Sequence, residues 1–149
     1  MRKITPEDSP CYCIRVRRAA NALTKFYDEA FEPMHITASQ FSLLNNIKLL
    51  KACNKSELAI YAKLDRTTII RNLNTLRDRG LTSEIISDDN RNKLITLTEL
   101  GESVIEEGII LWEHTQRQVK ETIGLDCIED FFRVLKNIES LEAHHGKRQ

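Results

Sequence analysis

Apolar residues three and four apart recur along most of the chain, the beat of one helical face. From about Cys11 to Phe31 it runs through Val16, Ala20, Leu23, Tyr27 and Ala30. Ser9 and Pro10 give that segment a helix start, and Pro33 ends it. The stretch "TASQFSLLNNIKLLKAC" opens with Thr37 and Gln40 in capping-box spacing, so side chain and backbone at its first turn satisfy each other. "NKSELAIYAKL" reads as a short helix capped by Asn54 or Ser56. In "KLDRTTIIRNLNTLRDRGL", Ile69, Ile70, Leu73 and Leu76 keep the helical beat between an N-cap at Asp65 and a stop at Gly80.

After Gly80 the period changes from helical to alternating. "TSEIIS" and "KLITLT" read as short strands, with Ile95 and Leu97 on one face. The polar "SDDNRNK" between them has the makeup of a hairpin tip. Thr98 then caps a long helix through Val104, Ile105, Leu111, Trp112, Val119 and Ile123, which Gly124 ends. A last helix starts at Asp126 and carries Ile128, Phe131, Phe132, Leu135, Ile138 and Leu141. The expected fold is mainly α with a small β-hairpin wing. Two short helices joined by a tight turn and followed by a hairpin make a winged helix-turn-helix, whose second helix enters a major groove while the wing lies along the backbone or in the minor groove.

The polar side of the Asp65–Arg79 segment is built from threonine, asparagine and arginine with little acid, whereas a merely solvated face usually mixes Glu with Lys. Arg66, Thr67, Thr68, Arg71 and Asn72 lie near its N-terminal end, where free N–H groups and the helix dipole favour phosphate. Arginine can read guanine with two bonds and asparagine can read adenine. Taken alone, the segment also fits a solvated amphipathic helix; the short helix before it and the hairpin after it point to DNA. In the hairpin tip, Asp89 and Arg91 are two apart and project to one side of an extended strand. Asp89 is therefore a wing-support candidate that would hold Arg91 ready for a minor groove, although read alone the two make an exposed ion pair worth ~0–1 kcal/mol. Lys93 is a candidate backbone contact.

These residues resemble the MarR-type (multiple antibiotic resistance regulator) transcription factors. The likeness rests on "SELAIYAKLDRTTIIRNLNTLRDRGL" followed by "DNRNKLITLTELG", takes in "RRAANALTKFYDEAFEP" and "TASQFSLLNNI", and covers about residues 11 to 125. It implies a homodimer interleaved through its first and last helices, bound to a pseudo-palindromic double-stranded operator and released by a small-molecule effector or an oxidant. It carries the recognition-helix role to Thr67, Thr68, Arg71 and Asn72, and the minor-groove role to Arg91. Asp88 and Asn90 stand where family wings often carry further arginines, which leaves residues 87 to 93 neutral. The expected layout is one domain over residues 1–149, with a DNA-binding core at about 37–97 and dimerisation helices at 9–33 and 98–145. The terminal helices point to an interface independently of family, because apolar faces that broad stay partly bare on so small a core.

The length, 149 residues, allows one well-buried domain, and the composition (41% hydrophobic, 30% charged) is that of a soluble globular chain. No apolar run approaches the ~20 residues of a membrane span, and the polar N-terminus lacks a secretory signal, so a cytoplasmic protein without a membrane partner is expected. Net charge is zero, which by itself argues against nucleic acid. Its distribution does not: Lys51 to Lys93 holds nine basic residues against six acidic, whereas Thr98 to His145 holds four against eleven. The acidic C-terminal third motivates an alternative, a winged-helix protein–protein interaction module without specific DNA binding.

Cys11 and Cys13 invite a redox or metal reading, beside the plain one of two ordinary thiols. On a helix, residues two apart point about 200° from one another, which disfavours a shared metal or a bond between the two. Bridging to a second chain stays open, and Arg15, Arg17 and Arg18 nearby would make a thiol more reactive. Cys53 and Cys127 fall in apolar stretches and read as small buried hydrophobes. His144 and His145 could bind a metal, beside the plain reading of a solvated pair. His35 and His114 have no ligand-spaced partners, and there is no Gly-rich phosphate loop, His-Glu-x-x-His helix or nucleophile elbow. Neither a cofactor, a metal nor an enzymatic activity is expected.

Overall fold

The computed structural model describes residues 9–87 and 92–145, with side chains as far as Leu141. Its elements are α1 (Tyr12–Phe31), a 3₁₀ turn (Glu32–Met34), α2 (Ala38–Leu50), α3 (Lys55–Ala62), α4 (Arg66–Asp78), β1 (Thr82–Ile86), β2 (Lys93–Leu97), α5 (Glu99–Ile123), a second 3₁₀ turn (Leu125–Cys127) and α6 (Ile128–His145). The protein is mainly helical with one antiparallel hairpin. The chain forms two compact units, one ending at Trp112 and the other starting at Glu113, inside α5. Among the described residues no helix is long and apolar enough to cross a membrane.

Side-chain caps mark where α2, α3, α4 and α5 begin, whereas α1, with Cys11 at its N-cap, has none. Thr37 and Gln40 form both bonds of the capping box at α2. Asn54, rather than Ser56, caps α3: its side chain accepts from the N–H groups of Ser56 and Glu57, and Glu57 reaches back to the Asn54 N–H. At α4, the Asp65 carboxylate accepts the Thr68 hydroxyl at 2.6 Å and the Thr68 N–H at 2.9 Å. Those two bonds, the hydroxyl first, hold the exposed Asp65 carboxyl below the usual carboxylate range. Gly80, at φ +71°, closes α4 in the left-handed region. Its carbonyl accepts the Thr98 hydroxyl, which in turn accepts the Gly101 N–H and so caps α5.

The core of this unit joins Phe31 of α1, Phe41, Leu44 and Ile47 of α2, Leu58 of α3 and Ile69 and Leu76 of α4 to Ile95 of β2 and Ile105 of α5. In the hairpin, Thr82 faces Leu97 and Glu84 faces Ile95. Ile95 also exchanges both backbone hydrogen bonds with Cys53, at 2.8 and 3.2 Å, which ties the loop before α3 to the hairpin. Two glycines let α5 lie close. A Cβ at Gly101 would overlap the Leu81 carbonyl oxygen, and one at Gly108 would overlap the Phe41 ring. That ring stacks on Phe31, with centroids 4.6 Å apart.

In the second unit, the chain after Gly124 (φ +96°) makes a tight turn, with the Cys127 N–H donating to the Gly124 carbonyl. The final helix therefore begins at Ile128, two residues later than Asp126. Cys127 lies in that turn, ahead of the apolar stripe, and is exposed where a buried residue was expected.

Two expectations follow. Gly108→Ala should push Phe41, and with it Phe31, out of register and lower the unfolding free energy by about 1–3 kcal/mol; an unchanged urea midpoint would show that α5 does not rest on that ring. Because the Asp65 carboxyl titrates lower when folded, its cap stabilises fully above the ordinary carboxylate range, at about pH 4, and is lost as pH falls through the folded value. The stability gap between wild type and Asp65→Ala should accordingly be constant near neutrality and shrink in acid. A gap that widens in acid contradicts this.

Candidate nucleic-acid interface

The orientation of α4 decides which side chains can meet a duplex. Ile69, Asn72, Leu73 and Leu76 are its buried residues, a strict i, i+3, i+4, i+7 stripe. Ile70 falls off that stripe and is exposed, so it does not belong to the core. The opposite stripe is Thr67, Ile70, Arg71 and Asn74, with Arg66 beside it, all exposed. Arg66, Thr67 and Arg71 therefore lie where the sequence places them. Asn74 is an outward residue that the sequence reading passed over, although its spacing of seven from Thr67 marks it.

Asn72 requires a correction. Only 8% of it is exposed, and its amide donates toward the Ser39 hydroxyl of α2 at 3.5 Å. It sits in the core stripe and cannot present an amide to a base edge without leaving its packing. Thr68 is half-buried and gives its hydroxyl proton to Asp65, which leaves its oxygen lone pairs but not its donor for other partners. Arg79 turns back from the end of α4, donating to the carbonyls of Met34 and His35 and anchoring the joint between α1 and α2. Arg77 pairs with the neighbouring Asp78 at 3.3 Å.

In front of α4, helix α3 exposes Ile60, at 79%, and Tyr61 beside it. In the hairpin, Lys93 is exposed and its ammonium lies 3.5 Å from the Glu84 carboxylate. The other oxygen of Glu84 lies 3.6 Å from Lys55 at the start of α3. Asp89 and Arg91, with Asp88 and Asn90, lie outside the described residues.

A groove of about 470 Å³ opens between α1, α2 and α5 within the first unit. Tyr27, Phe41, Leu49, Ile109 and Trp112 line it, with the polar groups of Ser42, Asn45 and Asn46 and no ionised side chain. Burial pushes the Tyr27 phenol up from its ordinary value, so it stays neutral. Cys53 is buried, and burial followed by the charge of Glu57 raises its thiol, which makes it unreactive. Cys11 and Cys13 are both exposed. Cys11 is the N-cap of α1, with extended backbone (φ −76°, ψ 112°), so the angular separation of two helical residues does not apply to this pair. Among the described residues, no three His, Cys, Asp or Glu side chains converge as a metal site.

Apolar side chains on the terminal helices are bare in the single chain. Tyr12 of α1 is 86% exposed, and Ile14 and Val16 follow it on the same helix. On α6, Phe132 is 62% exposed and meets Phe131 edge to face.

No protein-family model matches the chain. It is 26% identical over 93 residues to YwoH of Bacillus subtilis (strain 168), an uncharacterized HTH-type transcriptional regulator, a match spanning 62% of this chain and 68% of YwoH. A mutant MarR from E. coli, crystallised with operator DNA, shares the fold at a TM-score of 0.76 and 21% identity, over 83% of this chain and 89% of that one. The M. tuberculosis transcriptional regulator MosR, crystallised with DNA, superposes at a TM-score of 0.76 and is 36% identical, covering 93% of this chain and 99% of its own. With that identity across nearly the whole of both chains, and with a hairpin behind an outward arginine-and-threonine helix, this chain belongs to the MarR-type family of winged helix-turn-helix transcription regulators.

Proposed function

We propose that this chain is a sequence-specific double-stranded-DNA-binding regulator that works as a homodimeric repressor and is released by a small ligand or an oxidant. The observation that carries the reading is the outer stripe of α4, where Thr67, Arg71 and Asn74 stand exposed beside Arg66 and the first acid, Asp78, comes only at the last turn. MosR and MarR, both crystallised with DNA, support it. Residues 37–97 then form the DNA-binding core. Arg71 reads a base edge in the major groove, Arg66 and Thr67 meet phosphates at the positive end of the helix, and Thr68, its hydroxyl hydrogen committed to Asp65, can only accept from a base amino group. Arg91, steadied by Asp89, takes the minor groove, and Lys93 stands where the wing runs beside the backbone, with its ammonium on Glu84. Residues 9–33 and 98–145 hold two copies together through the bare faces of α1 and α6, with half-sites about one helical turn, ~34 Å, apart.

The groove between α1, α2 and α5 is the effector site in this reading. Its lining has aromatic faces and amide or hydroxyl groups but no cation, which suits an uncharged aromatic ligand better than a carboxylate. Such a ligand releases DNA only if it binds the DNA-incompetent arrangement more tightly. The exposed Cys11 and Cys13 thiols are the candidates for an oxidant signal.

Arg71→Ala should lower discrimination between the operator and a mismatched site by about 1–3 kcal/mol, read by fluorescence anisotropy on the upstream DNA; equal affinity for both proteins would remove Arg71 from base reading. A single-copy species in sedimentation velocity, with no protected DNA, would overturn the dimeric repressor. Neutral aromatic compounds should raise the thermal midpoint of wild type but not of Trp112→Ala, whereas a response to carboxylates alone would contradict the uncharged-ligand assignment.

A further inference from the structure

The Glu84 carboxylate sits between two lysines from different elements, 3.6 Å from Lys55 at the first turn of α3 and 3.5 Å from Lys93 at the start of β2. Resting on the DNA-binding reading above, both lysines belong to the parts of a winged helix that follow the sugar–phosphate backbone, since the first helix of the turn crosses it and the wing runs beside it. The segment from Thr82 to Leu97 carries Glu84, Asp88 and Asp89 against Arg91 and Lys93. Its balance is acidic, the opposite of what a backbone-gripping wing needs.

We propose that Glu84 is a specificity-determining residue that withholds Lys55 and Lys93 from phosphate and so keeps sequence-independent affinity low. Binding to arbitrary DNA rests almost wholly on cations displacing counterions from phosphates, whereas binding to an operator also draws on base edges. A lysine already neutralised by a carboxylate gains little by moving to a phosphate. The move exchanges one anion for another and leaves Glu84, with a single lysine, beside a like-charged backbone. Operator binding, which has the α4 contacts as well, then dominates over the large excess of competing sites.

The test is salt-titrated anisotropy of the full chain on a random-sequence duplex and on its own upstream fragment. In Glu84→Gln, the slope of log affinity against log salt should steepen by about 0.9 for each lysine that reaches a phosphate, and random-duplex affinity should rise roughly tenfold at ~100 mM salt. Glu84→Asp should keep the wild-type slope, and Lys55→Met with Lys93→Met in the Glu84→Gln background should remove the gain. Lys55→Met alone in the otherwise wild-type chain should leave the slope unchanged, which keeps the proposal testable if Glu84→Gln folds poorly. A shallower slope in that variant would show Lys55 already on phosphate and overturn the proposal. So would a Glu84→Gln protein that binds both duplexes more weakly at an unchanged slope, the signature of a mere strut for the wing. No binding of either duplex by any variant would instead remove the DNA-binding reading and this inference with it.

Discussion

The burial of one stripe of α4 governs the rest of the molecule. Ile69, Leu73 and Leu76 are removed from water against neighbouring helices and the hairpin, and a helix seated on one face has its opposite face fixed by the 3.6-residue period. Deep burial of Leu- or Ile-sized side chains is worth about 1.5–3 kcal/mol each, so rotating this helix about its axis would sacrifice several such contacts. Thr67, Arg71 and Asn74 are outward because those three apolar residues are inward. Asn72 is spent in the same way: it occupies the inner stripe and joins α4 to Ser39.

Polar contacts at the ends of α4 set where the helix sits along its axis. Asp65 and Thr68 close the N-terminal turn, and Arg79 anchors the other end to the carbonyls of Met34 and His35. These carbonyls belong to the joint between α1 and α2, and Phe31 and Ala38, which flank that joint in the sequence, are among the residues that line the groove. The C-terminal end of α4 is thus tied by hydrogen bonds to a segment bordering the groove. The release by a ligand proposed above would need such a connection, since an effector acts only through elements whose arrangement it can bias.

Charge is distributed with the same economy. The outward side of α4 carries no acid before Asp78 at its last turn, while the hairpin and the start of α3 share Glu84 between two lysines. Exposed ion pairs of this kind add little stability, so their consequence is electrostatic: they lower the positive potential that the surface offers to a polyanion. Bare apolar residues on α1 and α6, by contrast, have no such screening, and their exposure in a single chain fits helices that meet a second copy.

Most of the fold was legible in the sequence because helix starts, helix stops and the change of period are local properties. The capping box at Thr37 and Gln40, the Asp65 cap, the Gly80 stop and the paired strands each follow from residues within a few positions of one another. The site was legible in part. Arg66, Thr67 and Arg71 are outward as their spacing implies, but Asn72 was assigned by residue type when its phase with Ile69 and Leu76 already put it inside. What only the tertiary structure decided are the long-range contacts: the Cys53 bridge to Ile95, the turn of Arg79 toward the α1–α2 joint, the sharing of Glu84, and the groove beside Trp112. Sequence alone determined which segments would be helix or strand and most of the face each would bury, because periodicity and capping act within a turn or two; Ile70, Asn72 and Cys127 are the residues it placed on the wrong side. Which distant side chains came to face one another depended on how those faces packed, and packing joins residues that no local pattern relates.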